Sequence, residues 1–274
     1  MLKTRIITAG LLVAAFIPAL FLLDNSLWAY CMLVISLLGL REWGCMIKLS
    51  ALQNALYLLT AGVGGVFIVW LMSKYGFHLF FFKSLIVFFV VALFWILIVP
   101  IWFKTRVIIN NKAVMALLGL LLIASLWLAL ICAKSADPAL LLVLLATIWI
   151  ADSAAYFAGK NFGKIKLAPS ISPGKTWEGV FGALIAVTIF GAILYGWFDF
   201  KEWAIFPALW IITMLGVAGD LFESMIKRQA MLKDSGSLLP GHGGILDRID
   251  GIISSLPIAV LMIYLFHYFN SSLV

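Results

Sequence analysis

Long apolar runs alternate with short polar segments along almost the whole of this 274-residue chain. About nine of the runs approach the roughly 20 residues that a helix needs to cross about 30 Å of hydrocarbon. They cover residues 6–23, 27–45, 52–73, 79–102, 113–133, 138–158, 177–197, 203–222 and 252–269. Because the runs are continuous in hydrophobicity, they favour helices over the alternating strands of a membrane barrel. The pattern predicts an all-α, polytopic membrane protein of about nine spans; the second and third runs are the weakest, which leaves eight as the alternative.

The composition agrees with this class. The chain is 65% hydrophobic and 11% charged, with a mean hydropathy of +1.15, whereas a soluble domain is nearer one half apolar. Its formal charge of +7 indicates a preference for anionic headgroups or an anionic substrate. Nucleic acid is not expected as a partner, because no basic module stands outside the membrane to hold it.

The basic residues are divided unevenly between the two sides of the predicted spans. With nine spans, 15 of the 19 Lys and Arg residues share the side of the N-terminus. The positive-inside bias places that side, with the N-terminus, in the cytoplasm. It also carries the two long polar connections, residues 159–176 and 223–251. We expect a single domain, 1–274, in which helices of residues 1–135 form a scaffold with dimer and lipid contacts and residues 138–270 carry the chemistry.

Acidic residues stand at the ends of three predicted spans: Asp152 in the sixth, Asp220 and Glu223 in the eighth, and Asp247 and Asp250 at the start of the ninth. Residues three apart share a helix face, so both pairs can converge if their segments are helical. Several carboxylates at one membrane face repel each other unless a cation lies among them, and hard oxygen ligands suit Mg²⁺. The sequence therefore predicts a divalent-cation site. Ordinary interfacial ion pairs, such as Glu223 with Lys227, are the alternative.

Basic residues and glycines are interleaved with these acids. Arg offers phosphate a bidentate fork and Lys a point charge, while Gly243 and Gly244 would let backbone N–H groups approach phosphate oxygens. The N-terminus of the seventh span suits an anion near Lys175. The basic residues predicted to contact phosphate are Lys175, Lys227, Arg228, Lys233 and Arg248. A solvated basic fringe and a flexible glycine turn are the alternatives.

The segment from Ser224 to Asp250 resembles the signature of phosphatidate cytidylyltransferases, S-x-x-K-R-x₄-K-D-x-G-x₂-L-P-x-H-G-G-x-x-D-R-x-D. Every specified position is met, by Ser224, Lys227, Arg228, Lys233, Asp234, Gly236, Leu239, Pro240, His242, Gly243, Gly244, Asp247, Arg248 and Asp250. Residues 172–179 (SPGKTWEG) and Asp152 with Tyr156 are also similar to the family. The resemblance covers most of residues 140–260, and the N-terminal third is much less diagnostic.

The resemblance implies transfer of a cytidylyl group from CTP to phosphatidic acid, giving CDP-diacylglycerol and pyrophosphate, by a homodimer in a bacterial inner membrane. It implies Mg²⁺ as cofactor, with a second divalent or a monovalent cation left open. The implied metal ligands are Asp220, Asp247 and Asp250, with Asp152 as a further candidate. The predicted catalytic residues are Lys227, Arg228, Lys233, Asp234, His242 and Arg248. The predicted contacts to substrate phosphate are Ser172, Lys175, Gly243 and Gly244.

No strong general base is expected for such a reaction. The second pKa of a phosphomonoester is about 6, so the attacking oxygen is already anionic near neutral pH. The acids are therefore assigned to the metal and not to proton abstraction. Two other functions stay open on the sequence: a CTP-dependent polyprenol or lipid kinase, which would release CDP, and a secondary transporter with charged residues at broken helices.

Overall fold

The computed structural model describes residues 2–197, 202–236, 238 and 243–271. Its helices are α1 (Leu2–Leu22), α2 (Asn25–Met46), α3 (Ala51–Tyr75), α4 (Phe77–Leu93), α5 (Val99–Thr105), α6 (Lys112–Ala136), α7 (Pro138–Phe162), α8 (Trp177–Trp197), α9 (Ile205–Gln229) and α10 (Leu246–Ser271). A π-helical turn, Phe94–Ile98, joins α4 to α5. Within the described residues, eight helical segments are long and apolar enough to cross a membrane, and α1 adds a shorter apolar stretch, Val13–Leu22. The all-α polytopic class is confirmed, whereas the count of nine spans stays a prediction.

Local capping explains why several helices begin within a few residues of the predicted positions. Asp24 accepts hydrogen bonds from the N–H groups of Ser26 and Leu27 at the start of α2. Ser50 and Gln53 form a reciprocal capping box at the start of α3. Such side chains satisfy N–H groups that have no partner inside the helix.

The centre of the bundle is α6, which packs against α2, α4, α7 and α10. Two buried tryptophans of α2 and one of α6 tie these helices together through their indole N–H groups. Trp28 donates to the carbonyl of Leu130 at 3.2 Å, Trp43 to that of Met115 at 2.8 Å, and Trp127 to that of Ala29 at 3.0 Å. A buried indole N–H needs such an acceptor, so the rotation of α2 against α6 is fixed.

The connection between α7 and α8 contains a two-stranded antiparallel hairpin that was not predicted. Its strands are β1 (Lys166–Ala168) and β2 (Ser172–Thr176), with Lys166 opposite Thr176. The N–H of Ile165 donates to the Glu178 carboxylate at 3.1 Å, and the N–H of Trp177 donates to the carbonyl of Ile165 at 3.0 Å. The polar connection is thus an ordered element tied to the start of α8.

The helices on either side of the second polar connection are longer than their apolar runs. The runs predicted spans at 203–222 and 252–269, but α9 continues to Gln229 and α10 begins at Leu246. Hydropathy marks where a helix stops being apolar, not where it ends. The charged residues assigned to a loop therefore lie largely on helices, with Lys227 in the last turn of α9 and Asp247 and Asp250 in the first turns of α10.

Candidate active site

Carboxylates from three helices lie within electrostatic reach of one another where α7, α9 and α10 pack together. They are Asp152 on α7, Asp220 and Glu223 on α9, and Asp247 and Asp250 on α10. Asp220 interacts with Asp152, Glu223 and Asp250, and Glu223 also interacts with Asp247 and Asp250. The helical spacing predicted from the sequence does bring these acids to one region.

A close approach of α9 to α10 makes this grouping possible. A Cβ atom on Gly219 would collide with the backbone oxygen of Asp250 and the hydroxyl of Ser254. Gly216 and Gly251 face each other nearby, again backbone to backbone. Because these positions carry no side chain, Asp220 and Asp250 reach the same side of a narrow helix contact.

Lys175 is held beside the acids by the hairpin. Its Nζ lies 2.6 Å from Asp220 Oδ2, with 22% of the lysine and 37% of the aspartate side chain exposed. Lys175 also interacts electrostatically with Asp152 and Asp250. A lysine predicted only as a phosphate contact therefore also acts as a counter-ion to the acidic group.

Lys227 occupies the other side of the cluster. Its Nζ lies 2.6 Å from Glu223 Oε2 and 2.6 Å from Asp247 Oδ1. The side chains are 12%, 6% and 7% exposed for Lys227, Glu223 and Asp247. The i,i+4 pair foreseen for Glu223 and Lys227 is present, but it extends to α10 through Asp247. Glu223 Oε1 is buried without a hydrogen-bond partner among the described residues.

Asp247 also holds the loop that leads into α10. Its Oδ2 accepts hydrogen bonds from the N–H groups of Ser235 at 3.0 Å and Gly244 at 2.8 Å. Gly243 has φ = +81°, and a Cβ there would lie 2.6 Å from Asp247 Oδ2. The N–H of Gly244 is thus engaged inside the loop. Phosphate binding by Gly243 and Gly244 stays a prediction.

Sequence reasoning missed Glu42, which lies in α2 and is 4% exposed. Its carboxylate accepts hydrogen bonds from the Ser235 hydroxyl at 3.0 Å, the N–H of Ile245 at 3.0 Å and the N–H of Leu246 at 2.9 Å. The sequence did contain one signal for it, an acidic residue inside a predicted span. A charged side chain within the membrane costs free energy and is usually functional.

The other predicted site residues lie in several places. Arg248, on α10, interacts electrostatically with Asp152. Ser172 is half-buried in β2. Arg228, Lys233 and Asp234 are exposed, and Arg228 Nη1 donates to the carbonyl of Leu232 at 3.4 Å. His242 lies outside the described residues.

The charges and donor atoms of the cluster suit a divalent cation. Its members are five carboxylates and three basic side chains, Lys175, Lys227 and Arg248, so the acidic groups outnumber the basic groups by two. In the part of the chain that the structure describes, no three His, Cys, Asp or Glu side chains are gathered closely enough to hold an ion unaided. Mg²⁺ does not require such a cage, because it commonly takes one or two carboxylates with waters and substrate phosphates.

These features define a multi-pass membrane protein with a compact acid–base site where three helices meet. The chain belongs to the cytidylyltransferase family, whose model matches residues 3–266. It is 34% identical to the phosphatidate cytidylyltransferase of Pseudomonas aeruginosa, over 96% of this chain and 97% of that protein. It is also 34% identical to the one of Haemophilus influenzae, over 94% and 96% of the two chains. The relative from Brucella suis is 42% identical over 45% of this chain and 44% of its own. The family predicted from the signature is confirmed.

Proposed function

We propose that this protein transfers the cytidylyl group of CTP to phosphatidate, giving CDP-diacylglycerol and pyrophosphate. The observation that carries the proposal is the convergence of Asp152, Asp220 and Asp250 with Lys175 and Arg248 at one helix junction. Such a site can bind a metal–nucleotide complex and a second anionic group together. Relatives that match nearly the whole chain are named for this activity.

The chemistry requires little proton transfer. A phosphate oxygen of phosphatidate attacks the α-phosphorus of CTP, a new P–O bond forms, and the bond to the β-phosphate breaks with release of pyrophosphate. The attacking oxygen is already ionised near neutral pH. The demands are therefore to bring two polyanions together and to stabilise charge on the leaving group, which are tasks of position and electrostatics.

We assign the side chains to these tasks by their surroundings. One or two of Asp152, Asp220 and Asp250 would hold the divalent cation together with substrate phosphate oxygens, and the cation would neutralise charge on those oxygens. Lys175, which pairs with Asp220, supplies a point charge to the substrate phosphates, and Arg248 offers them a bidentate fork. These groups are preorganised by helix packing before the substrates arrive.

Asp247 receives a different role from the metal-binding one predicted, whereas Lys227 keeps its predicted role as a phosphate contact. Both oxygens of Asp247 already accept hydrogen bonds, from Lys227 and from the loop N–H groups. We therefore propose that Asp247 orients Lys227 and the loop. Lys227 in turn directs its remaining donor capacity to a phosphate, since an ammonium carries three N–H groups.

The location of the site follows from the charge asymmetry. We propose that the helix ends with the charged cluster face the cytoplasm of a bacterial cell, where CTP is available, with the N-terminus on the same side. The lipid headgroup then meets the nucleotide at the inner-membrane surface while its acyl chains stay in the bilayer. We further propose a homodimer, with contacts from the helices of residues 1–135.

The direct test is product formation by purified protein with α-labelled CTP, phosphatidate and Mg²⁺. We expect label in a lipid product and one pyrophosphate released per product formed. Asp220→Asn is the matched inactive variant, because it keeps the side-chain shape and removes the charge. Release of CDP with a phosphorylated lipid would assign the protein to the lipid kinases. Counter-transport in liposomes without nucleotide consumption would favour a transporter.

A further inference from the structure

We infer that Glu42 is a positioning residue for the catalytic site, acting from the N-terminal part of the chain through the loop that precedes α10. Its effect on turnover rests on the proposed function, whereas its hold on the loop does not. Neither the signature segment nor the acid cluster includes this residue, which lies 193 residues before Ser235 in the sequence.

The Glu42 carboxylate caps α10 from a different helix. Oε1 accepts the N–H of Ile245, and Oε2 accepts both the N–H of Leu246 and the Ser235 hydroxyl. The first N–H groups of a helix have no partner within it, and a negative charge there is favoured by the helix dipole. Glu42 therefore binds the start of α10 and the loop in one contact.

The loop is shaped to accept this buried carboxylate. Cβ atoms added to Gly236 or Gly244 would collide with Glu42, and the one on Gly244 would also meet the Ser235 hydroxyl. Two signature glycines therefore lie against an acid and not against open solvent. Their small size is explained here by the close approach of Glu42.

Glu42 itself is rigidly placed. The next residue, Trp43, is 4% exposed and its indole donates to the carbonyl of Met115 on α6. At Gly39, one turn earlier, an added Cβ atom would lie 3.5 Å from the Leu246 side chain and 3.6 Å from that of Ile249, so α2 passes close to the start of α10. The scaffold formed by α2 and α6 thus fixes the carboxylate against the first turns of α10.

The same loop is held from its other side by the active site. The N–H groups of Ser235 and Gly244 donate to Asp247, whose other oxygen pairs with Lys227. Glu42 and Asp247 therefore both bind the loop: Glu42 at the Ser235 hydroxyl and Asp247 at the N–H of the same residue. A shift at Glu42 therefore passes through two hydrogen bonds of Ser235 to Asp247, and through a third to Lys227.

The test is Glu42→Gln in the full-length protein. The amide keeps the shape but presents an NH₂ group to N–H donors, so at least one of Ile245 and Leu246 loses its acceptor. Misplacement of reacting groups by about 1 Å costs about a hundredfold in rate. We expect kcat and kcat/KM for CTP to fall together by about that factor, as for an interaction made only in the transition state.

The matched control is Asp24→Ala. Asp24 also accepts two backbone N–H groups at a helix start, but it lies at the opposite end of α2 from Glu42. Because Ala removes the cap and destabilises the helix start, we expect a lower melting temperature with wild-type turnover. If both variants lose activity in proportion to their melting temperatures, Glu42 is only a stabilising residue and the inference fails.

Two further measurements isolate the contact. Ser235→Ala removes one of the three donors, so it should reduce kcat in the wild type and have little further effect in the Glu42→Gln background. Hydrogen exchange of the amides of residues 243–250 should accelerate in Glu42→Gln and not in Asp24→Ala. Unchanged exchange and turnover within about twofold of wild type would overturn the inference. If the wild type forms no CDP-diacylglycerol, the proposed function fails, and exchange alone decides the role of Glu42.

Discussion

The stability of the acid–base cluster depends on Lys227, and Lys227→Met tests this most sharply. Each 2.6 Å contact of its ammonium, to Glu223 and to Asp247, represents a gross attraction of about 6 kcal/mol at an effective dielectric constant of about 20. Desolvation cancels much of that attraction. Removing one partner of a buried ion pair nevertheless costs about 3–5 kcal/mol, because the remaining charge is left uncompensated.

The Lys227→Met variant retains the apolar stem and loses the charge, so two buried carboxylates face each other. We expect the apparent melting temperature of the detergent-purified protein to fall on the order of 10 °C, since 1 kcal/mol corresponds to about 2–4 °C in chains of this size. Thermal unfolding followed by intrinsic fluorescence measures it. Melting within about 2 °C of wild type would refute the claim that Lys227 is a buried counter-ion.

A second variant separates charge from packing. Glu223→Gln combined with Lys227→Met removes one of the two carboxylates, and leaves Asp247 with its hydrogen bonds from Ser235 and Gly244. We expect this pair to recover a large part of the lost stability without recovering activity. If the double variant melts as low as Lys227→Met alone, the loss comes from the packing of the lysine stem.

Other predictions follow from the same contacts. Asp220→Asn should lower turnover about a hundredfold or more and change the free energy of unfolding by less than about 1 kcal/mol, because the pair of Asp220 with Lys175 is partly exposed. Parallel activity and thermal-shift assays check this, and a large loss of stability would contradict it. Chelation with EDTA should abolish CDP-diacylglycerol formation and added Mg²⁺ should restore it; full activity in EDTA would remove the metal assignment. Gly244→Ala should destabilise the protein by about 1–3 kcal/mol through overpacking against Ser235 and Glu42, whereas Gly64→Ala, with nothing within 4 Å of the added Cβ, should be neutral or slightly stabilising. Equal melting temperatures for the two glycine variants would refute the crowding at Gly244.

The fold class and most helix positions could be predicted because the signal is local. Continuous apolar runs and caps such as Asp24 and Ser50 fix where helices form, independent of distant residues. The i,i+3 spacing of Asp247 and Asp250 likewise indicated a shared helix face. Helix ends were predicted less well, since α9 and α10 continue into charged sequence that hydropathy alone assigns to a loop.

The contacts that organise the site were not predictable from local pattern. Glu42 meets Ser235 only because α2, α6 and α10 pack together. The pair between Lys175 and Asp220 depends on a hairpin whose strands are only three and five residues long. A charged residue such as Glu42 or Lys175 indicates a functional role by its type alone. Which residue it pairs with is determined by the tertiary structure.

The central claim is that acids from α7, α9 and α10 form one metal-dependent site for cytidylyl transfer to a lipid. The most direct measurement follows α-labelled CTP in phosphatidate vesicles with purified wild-type protein and the Asp220→Asn variant, in Mg²⁺. We expect labelled CDP-diacylglycerol and equimolar pyrophosphate from the wild type, and at least about a hundredfold less of both from the variant. Labelled CDP as the product, or equal rates from the two proteins, would contradict it.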